Sequence, residues 1–221
     1  MNRRARRACK VPKPQADRVT AVHEAGHAVA RVLTASDMGF GPERAIEEIE
    51  IGGSAVTVLG ENRGGLKLEG QAITRGPMFS LDIMVHIDQP GPYDFAYLRH
   101  VVMKAGAAGA DTQKWLKAKA LIMACGTAAE AKLLSVNFDT VWQRPAAAGD
   151  LGDIIRDCHL AGVDTPEAIN AVSEEAADRA ITLFERKDVW RAVLAVADIL
   201  PAKGVVKGDR IARIVLASMA S

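Results

Sequence analysis

From Asp111 to Met219 the chain reads as one helical period after another, and this half of the sequence sets the fold class. DTQKWLKAKALIMACGTAAEAKLLS, residues 111–135, spaces Trp115, Ala118, Ile122, Cys125, Ala129 and Leu133 along one face. That spacing predicts one long helix with a buried side. GDLGDIIRDCHLAG, residues 149–162, predicts a second helix, with Gly162 as its stop. Thr165-Pro166-Glu167 is a helix start, with Thr as N-cap and Pro in the first helical position, for a helix to about Lys187. Asp188 is expected to cap the next helix, to Leu200 before Pro201, and Asp209 a last one through Met219. Composition agrees: aromatics are only 5% and alanine supplies much of the apolar content, which favours packed helices over a sandwich of sheets. A length of 221 residues suffices for one domain with a core that needs no disulfide staples.

The first half is less uniform. Arg3, Arg4, Arg6, Arg7, Lys10 and Lys13 crowd a basic arm, residues 1–16, which VPKP sets apart as extended chain. The arm reads as a flexible, solvated segment. Asp17 is expected to cap a helix running to about Ser36, with Val19, Val22, Gly26, Val29 and Leu33 as its apolar stripe. Gly26 within that stripe predicts an element packed closely against it. IEEIEI, SAVTVLG and GGLKLEGQAIT, between residues 45 and 75, alternate like short strands of a β-ribbon or small sheet. The fold class expected is therefore mainly α (α+β), with residues 17–221 as one domain. Residues 76–110, broken by Gly and Pro, are the least legible part.

Several function classes recede on composition. The net charge is +1, so no global field points to nucleic acid. No apolar run approaches the ~18 residues of a membrane span, and no apolar segment follows the basic start to make a secretory signal. Cys9, Cys125 and Cys158 form no CxxC pair or disulfide framework, which suits a reducing compartment; the expectation is a cytoplasmic protein. Cys125 and Cys158 read as small buried hydrophobes, and Trp115, Trp142 and Trp190 as packing anchors.

The chemistry concentrates in AVHEAGHAVA, residues 21–30. Residues four apart on a helix project side by side, so His23 and His27 can hold one metal ion from one face. Glu24 is turned by ~100° and can stand beside the metal as a general base instead of on it. The bland alternative is a pair of half-buried histidines lining a helix seam. A catalytic zinc needs a third protein ligand and an open position. Glu130, Asp150 and His159 are candidates. Asp150 and His159 lie on opposite sides of one helix, so the two cannot readily serve one metal together, but the residues alone do not choose among the three. His86 and His100 read as core-edge or surface histidines.

VHEAGHAVA resembles the active-site helix of the FtsH-type AAA metalloproteases. ACGTAAEAKLL, AAGDLGDIIRDCHLAG and AVADILPAKGVVKGDRIARIVL resemble three later segments of that family, in order. The resemblance covers residues 17–36 and most of 118–219. It implies a helical peptidase domain with a small β-ribbon, and zinc (Zn2+) held by His23, His27 and the aspartate matched by Asp150. It implies Glu24 as the catalytic glutamate and Glu130 as an outer acid. It implies GGLKLEG as the counterpart of the family's substrate-binding strand, and the family's sixfold rings imply a homo-oligomer, a hexamer by resemblance.

The departures are as informative. No GxxxxGK[ST] occurs, and neither ATPase module nor membrane helix is recognisable, which leaves a separate ATPase as a candidate partner. Residues 76–110 match nothing in the family and stand as an insertion. The function expected is a zinc metalloendopeptidase acting on peptides or unfolded segments. The alternative is a catalytically silent module of the same fold that serves in regulation or interaction, and a weaker one is a zinc hydrolase of another bond.

Overall fold

The computed structural model describes residues 18–38, 41–46, 48–51, 70–73, 112–144, 147–200 and 204–220. The basic arm, the Asp17 cap, SAVTVLG, all of GGLKLEG but its last glycine, the 76–110 insertion, His86, His100 and Cys9 lie outside the described residues.

Helix α1 (Arg18–Leu33) holds the centre. Eleven of its residues are buried, from Ala21 to Val32, so burial runs round the helix and is not confined to the expected stripe. Its many alanines allow this, because a methyl side chain lets neighbours approach from every side. The helix ends at Leu33, short of Ser36. There the Thr34 hydroxyl and Thr34 N–H both donate to the Ala30 carbonyl, at 2.9 Å each, and the chain tightens into a 3-10 turn over Ala35–Met38.

Helix α2 (Thr112–Leu134) packs along α1. Gly26 marks the closest approach. A Cβ there would lie 2.8 Å from Ala129 Cβ and 2.5 Å from the Cys125 carbonyl oxygen, so the glycine is required by α2, as its place in the sequence suggests. Trp115, Ala118, Ile122, Cys125 and Ala129 are buried, as the period predicts, and Leu133 packs against the core.

The remaining helices are α3 (Phe138–Trp142), α4 (Ala148–Leu160), α5 (Pro166–Glu185), α6 (Lys187–Ala197) and α7 (Gly208–Met219). Thr165 caps α5 as predicted, its hydroxyl oxygen accepting from Ala168 N–H at 3.2 Å. Gly162, at φ 82°, stops the chain after α4. The two aspartate caps are corrected. Arg186 and Lys207 hold the cap positions of α6 and α7, and Asp188 and Asp209 sit in the first turns, where their charge still complements the helix dipole.

Strands β1 (Glu48–Ile51) and β2 (Gly70–Ile73) pair antiparallel, giving the small sheet expected after α1. A third strand, β3 (Gly204–Lys207), pairs antiparallel with the other side of β1, in the order β2-β1-β3. It lies between the helix expected to end at Leu200 and the one expected to begin at Asp209, where no strand is expected. Ile49 faces Ala72 and Val206 across the two ladders, and Ile49 and Val206 are buried, so one sheet face joins the core. Buried side chains from α1 to α7 and from β1 and β3 form one continuous core, a mainly α architecture with a small sheet.

Candidate metal centre

Three side chains converge where α1, α2 and the first turn of α4 meet. His23 Nε2 and His27 Nε2 are 3.1 Å apart, and Asp150 Oδ2 lies 3.4 Å from each. Among the described residues, these three form a group that could hold a metal ion. The i, i+4 spacing within α1 supplies the first two. The docking of α4 supplies the third.

The orientation of the rings fits ligation. His27 Nδ1 is 2.8 Å from the Ile122 carbonyl oxygen. A carbonyl only accepts, so Nδ1 carries the proton and, in the neutral ring, Nε2 presents its lone pair to His23 and Asp150. His23 Nδ1 faces Glu130 Oε2 at 3.4 Å, which turns its Nε2 the same way. Arg144 Nη1 donates to Glu130 Oε1 at 2.6 Å and holds that carboxylate in place. A carboxylate or carbonyl behind each imidazole is the usual outer support of a metal-bound histidine.

Two further observations test whether a cation fits. Asp150 Oδ2 is buried yet makes no hydrogen bond of good geometry, although two imidazoles stand beside it. Four ligands at ~2.0–2.1 Å from a tetrahedral zinc are separated by about 3.3 Å from one another. The observed separations of 3.1, 3.4 and 3.4 Å bracket that value. In addition, Gly126 of α2 lies against both rings. A Cβ at 126 would come within 2.8 Å of His23 Nε2 and would overlap the His27 ring. The missing side chain leaves the room that the two imidazole heads occupy.

The electrostatics favour positive charge at this point. Burial opposes a charged His23, but the Asp150 and Glu130 carboxylates outweigh it and raise the imidazolium to about 10. Burial opposes charge on His27 as well, and Asp150 still carries it above the ordinary imidazole value. Burial pushes the Asp150 carboxyl up, but the two histidines outweigh that and hold it well below the usual carboxylate range. A site that stabilises protons on nitrogen so strongly will also stabilise a cation shared by the same atoms, in competition with those protons.

Glu24, adjacent to His23, is buried at 7% exposure and lies outside the three-ligand group. Burial raises its carboxyl, the two imidazoles oppose this, and Asp150 adds to it, the net effect being upward. His159 is not at the site. It points to Asp164, with Nδ1 3.0 Å from Oδ1, so of the three candidate third ligands only Asp150 reaches the two histidines directly. Glu130 stands behind His23. Gly126 was not foreseen; a glycine in a helix interior, four residues before Glu130, is the signal that could have found it.

No protein-family model matches the chain, and no curated protein matches it in sequence. Among the described residues, no helix is long and apolar enough to cross a membrane.

Proposed function

We propose that this protein is a zinc-dependent metalloendopeptidase that hydrolyses peptide bonds in peptides or unfolded segments. The observation that carries the reading is the convergence of His23 Nε2, His27 Nε2 and Asp150 Oδ2 at separations matched to one zinc-sized ion. His23, His27 and Asp150 would hold the metal. Such an ion supplies Lewis acidity, which lowers the pKa of water and polarises a peptide carbonyl. The side chains of His23 and Asp150 are each 17% exposed, so the group is not sealed from solvent.

Glu24 is the general base in this reading. Its buried carboxylate has more than ordinary proton affinity, which suits a group that takes a proton near neutral pH. It removes a proton from the attacking water as the new C–O bond forms. It then returns that proton to the amine nitrogen as the C–N bond breaks. Glu24 is adjacent to His23 in sequence, so the turn of α1 itself sets the base beside the ligands.

The test is metal content of the purified protein by elemental mass spectrometry, with Asp150→Ala and Glu24→Gln beside the parent. The reading expects about one zinc per chain in the parent, weaker binding in Asp150→Ala, and retained zinc with peptide cleavage down at least ~100-fold in Glu24→Gln. A parent that takes up no zinc after reconstitution sinks the reading.

A further inference from the structure

The three helices that meet at the metal centre meet again about 10 Å further along, and there too they present charged groups to one another. On α4, Asp157 follows Asp150 by seven residues, which returns it to within ~20° of the same face. On α2, Lys119 precedes Gly126 by the same seven. On α1, Arg31 continues the four-residue step from His23 to His27. Lys119 Nζ lies 3.7 Å from Asp157 Oδ2, and Arg156 Nη2 lies 3.5 Å from Asp157 Oδ1. Arg31 is within electrostatic reach of both Asp157 and Lys119, and its Nε donates to the Ala45 carbonyl at 3.1 Å.

Two members of this tier are deep in the protein, and the third, Lys119, is partly buried, its side chain 19% exposed. Arg31 and Asp157 are each 2% exposed. Burial pushes the Arg31 guanidinium down to about 10 and lowers the Lys119 ammonium as well, against the pull of Asp157. Buried ion pairs are costly to desolvate, and well-packed apolar side chains of similar volume serve stability as well or better. What such a pair does supply is intolerance of displacement. Ile154, Cys158 and Leu160 are the buried apolar anchors of α4, and their contacts are non-directional, whereas an ion pair also fixes which charged groups face each other. A shift of one residue along α4 moves Asp150 by ~1.5 Å and turns it by ~100°. The same shift would draw the Asp157 carboxylate away from Lys119 and Arg31 in the interior, while Arg156, on α4 itself, would travel with it.

We propose that Asp157, with Lys119 and Arg31, is a positioning tier that fixes the register of α4 on α1 and α2 and so holds Asp150 on the axis of the metal site. The inference rests on the metal-site reading above. It gives these residues no contact with metal or substrate; they act through Asp150, which must stand within ~0.5 Å of its working position.

The experiment compares the parent with two tier variants. One is Arg31→Met/Lys119→Met/Asp157→Leu, which removes the charges and keeps the volume. The other is Asp157→Glu, which keeps the charge and lengthens the reach by one methylene. Thermal unfolding of the chelated proteins reports the fold. Chelator competition reports zinc affinity, and the visible spectrum of the Co(II)-substituted proteins reports ligand geometry. The expected result is a triple variant that unfolds no lower than the parent yet binds zinc about 10- to 100-fold more weakly, with an altered cobalt spectrum, and an Asp157→Glu variant that shares the loss. A tier variant that is folded, with parental zinc affinity and an unchanged cobalt spectrum, overturns the positioning role. If Asp150→Ala still weakens zinc in that case, the metal site stands and this inference alone falls. A parent without zinc affinity ends both.

Discussion

Replacing Gly126 by alanine should separate metal binding from stability. The added Cβ would lie 2.8 Å from His23 Nε2 and would overlap the His27 ring. Against an ordinary carbon contact of ~3.5–4.0 Å, the two rings must retreat by about 1 Å. His27 can do so only by straining the 2.8 Å bond from its Nδ1–H to the Ile122 carbonyl. Losing that bond costs about 1 kcal/mol, and alanine in place of a mid-helix glycine returns about the same amount. The chelated variant should therefore unfold close to the parent. Its zinc site should not survive so well. A displacement of ~1 Å within a tightly held constellation costs on the order of 100-fold, and a 100-fold loss of affinity is about 2.7 kcal/mol. Chelator-competition titration gives the affinity, and calorimetry of the chelated proteins gives the stability. Parental zinc affinity in Gly126→Ala would refute the placement of the two imidazole heads against α2.

Two further outcomes are expected. In the metal-free protein burial opposes a charged His23, yet its carboxylate neighbours raise it from 6.5 to about 10. The resulting stabilisation is complete below 6.5, falls as pH rises, and is gone above about 10. Asp150, held low by the histidines, contributes above its ordinary 3.8 and loses that contribution on acidification. The chelated protein should therefore melt higher at about pH 6 than at about pH 9, and the increment from added zinc should be larger at pH 9, where fewer protons compete. A chelated melting temperature that climbs from pH 6 to 9 contradicts this. Glu130→Gln removes the charge behind His23 and its 2.6 Å pairing with Arg144, and should weaken zinc by about 10- to 100-fold with little loss of fold. Unchanged affinity there would make Glu130 a bystander.

Most of the helices were legible because their signals are local. The period of residues 111–135, the Thr165-Pro166 start and the Gly162 stop each act within one or two turns of chain. The cap positions of α6 and α7 each lie two residues before the expected aspartate, since an aspartate in the first turn satisfies the dipole nearly as well as one at the cap. Strand β3 was missed because four residues, GVVK, carry too little alternation to distinguish a strand from a turn; it is a strand because β1 offers it a free edge. The packing demand at Gly26 could be anticipated from its position, but that Gly126 makes the matching allowance for the imidazoles could not.

The sequence by itself set the two histidines on one helical face and Glu24 one residue on, because 3.6 residues per turn fixes those relations without any help from the rest of the chain. The choice of Asp150 over Glu130 and His159, which the residues alone left open and only the resemblance favoured, was different in kind. All three lie more than 100 residues from His23, and which of them reaches it depends on how α2 and α4 dock on α1. Only the tertiary structure shows that Asp150 lies beside both histidines, since side-chain packing across helices sets distances that no local period encodes. It also revealed the second charged tier formed by Arg31, Lys119 and Asp157, whose members have no visible relation until three helices bring them together.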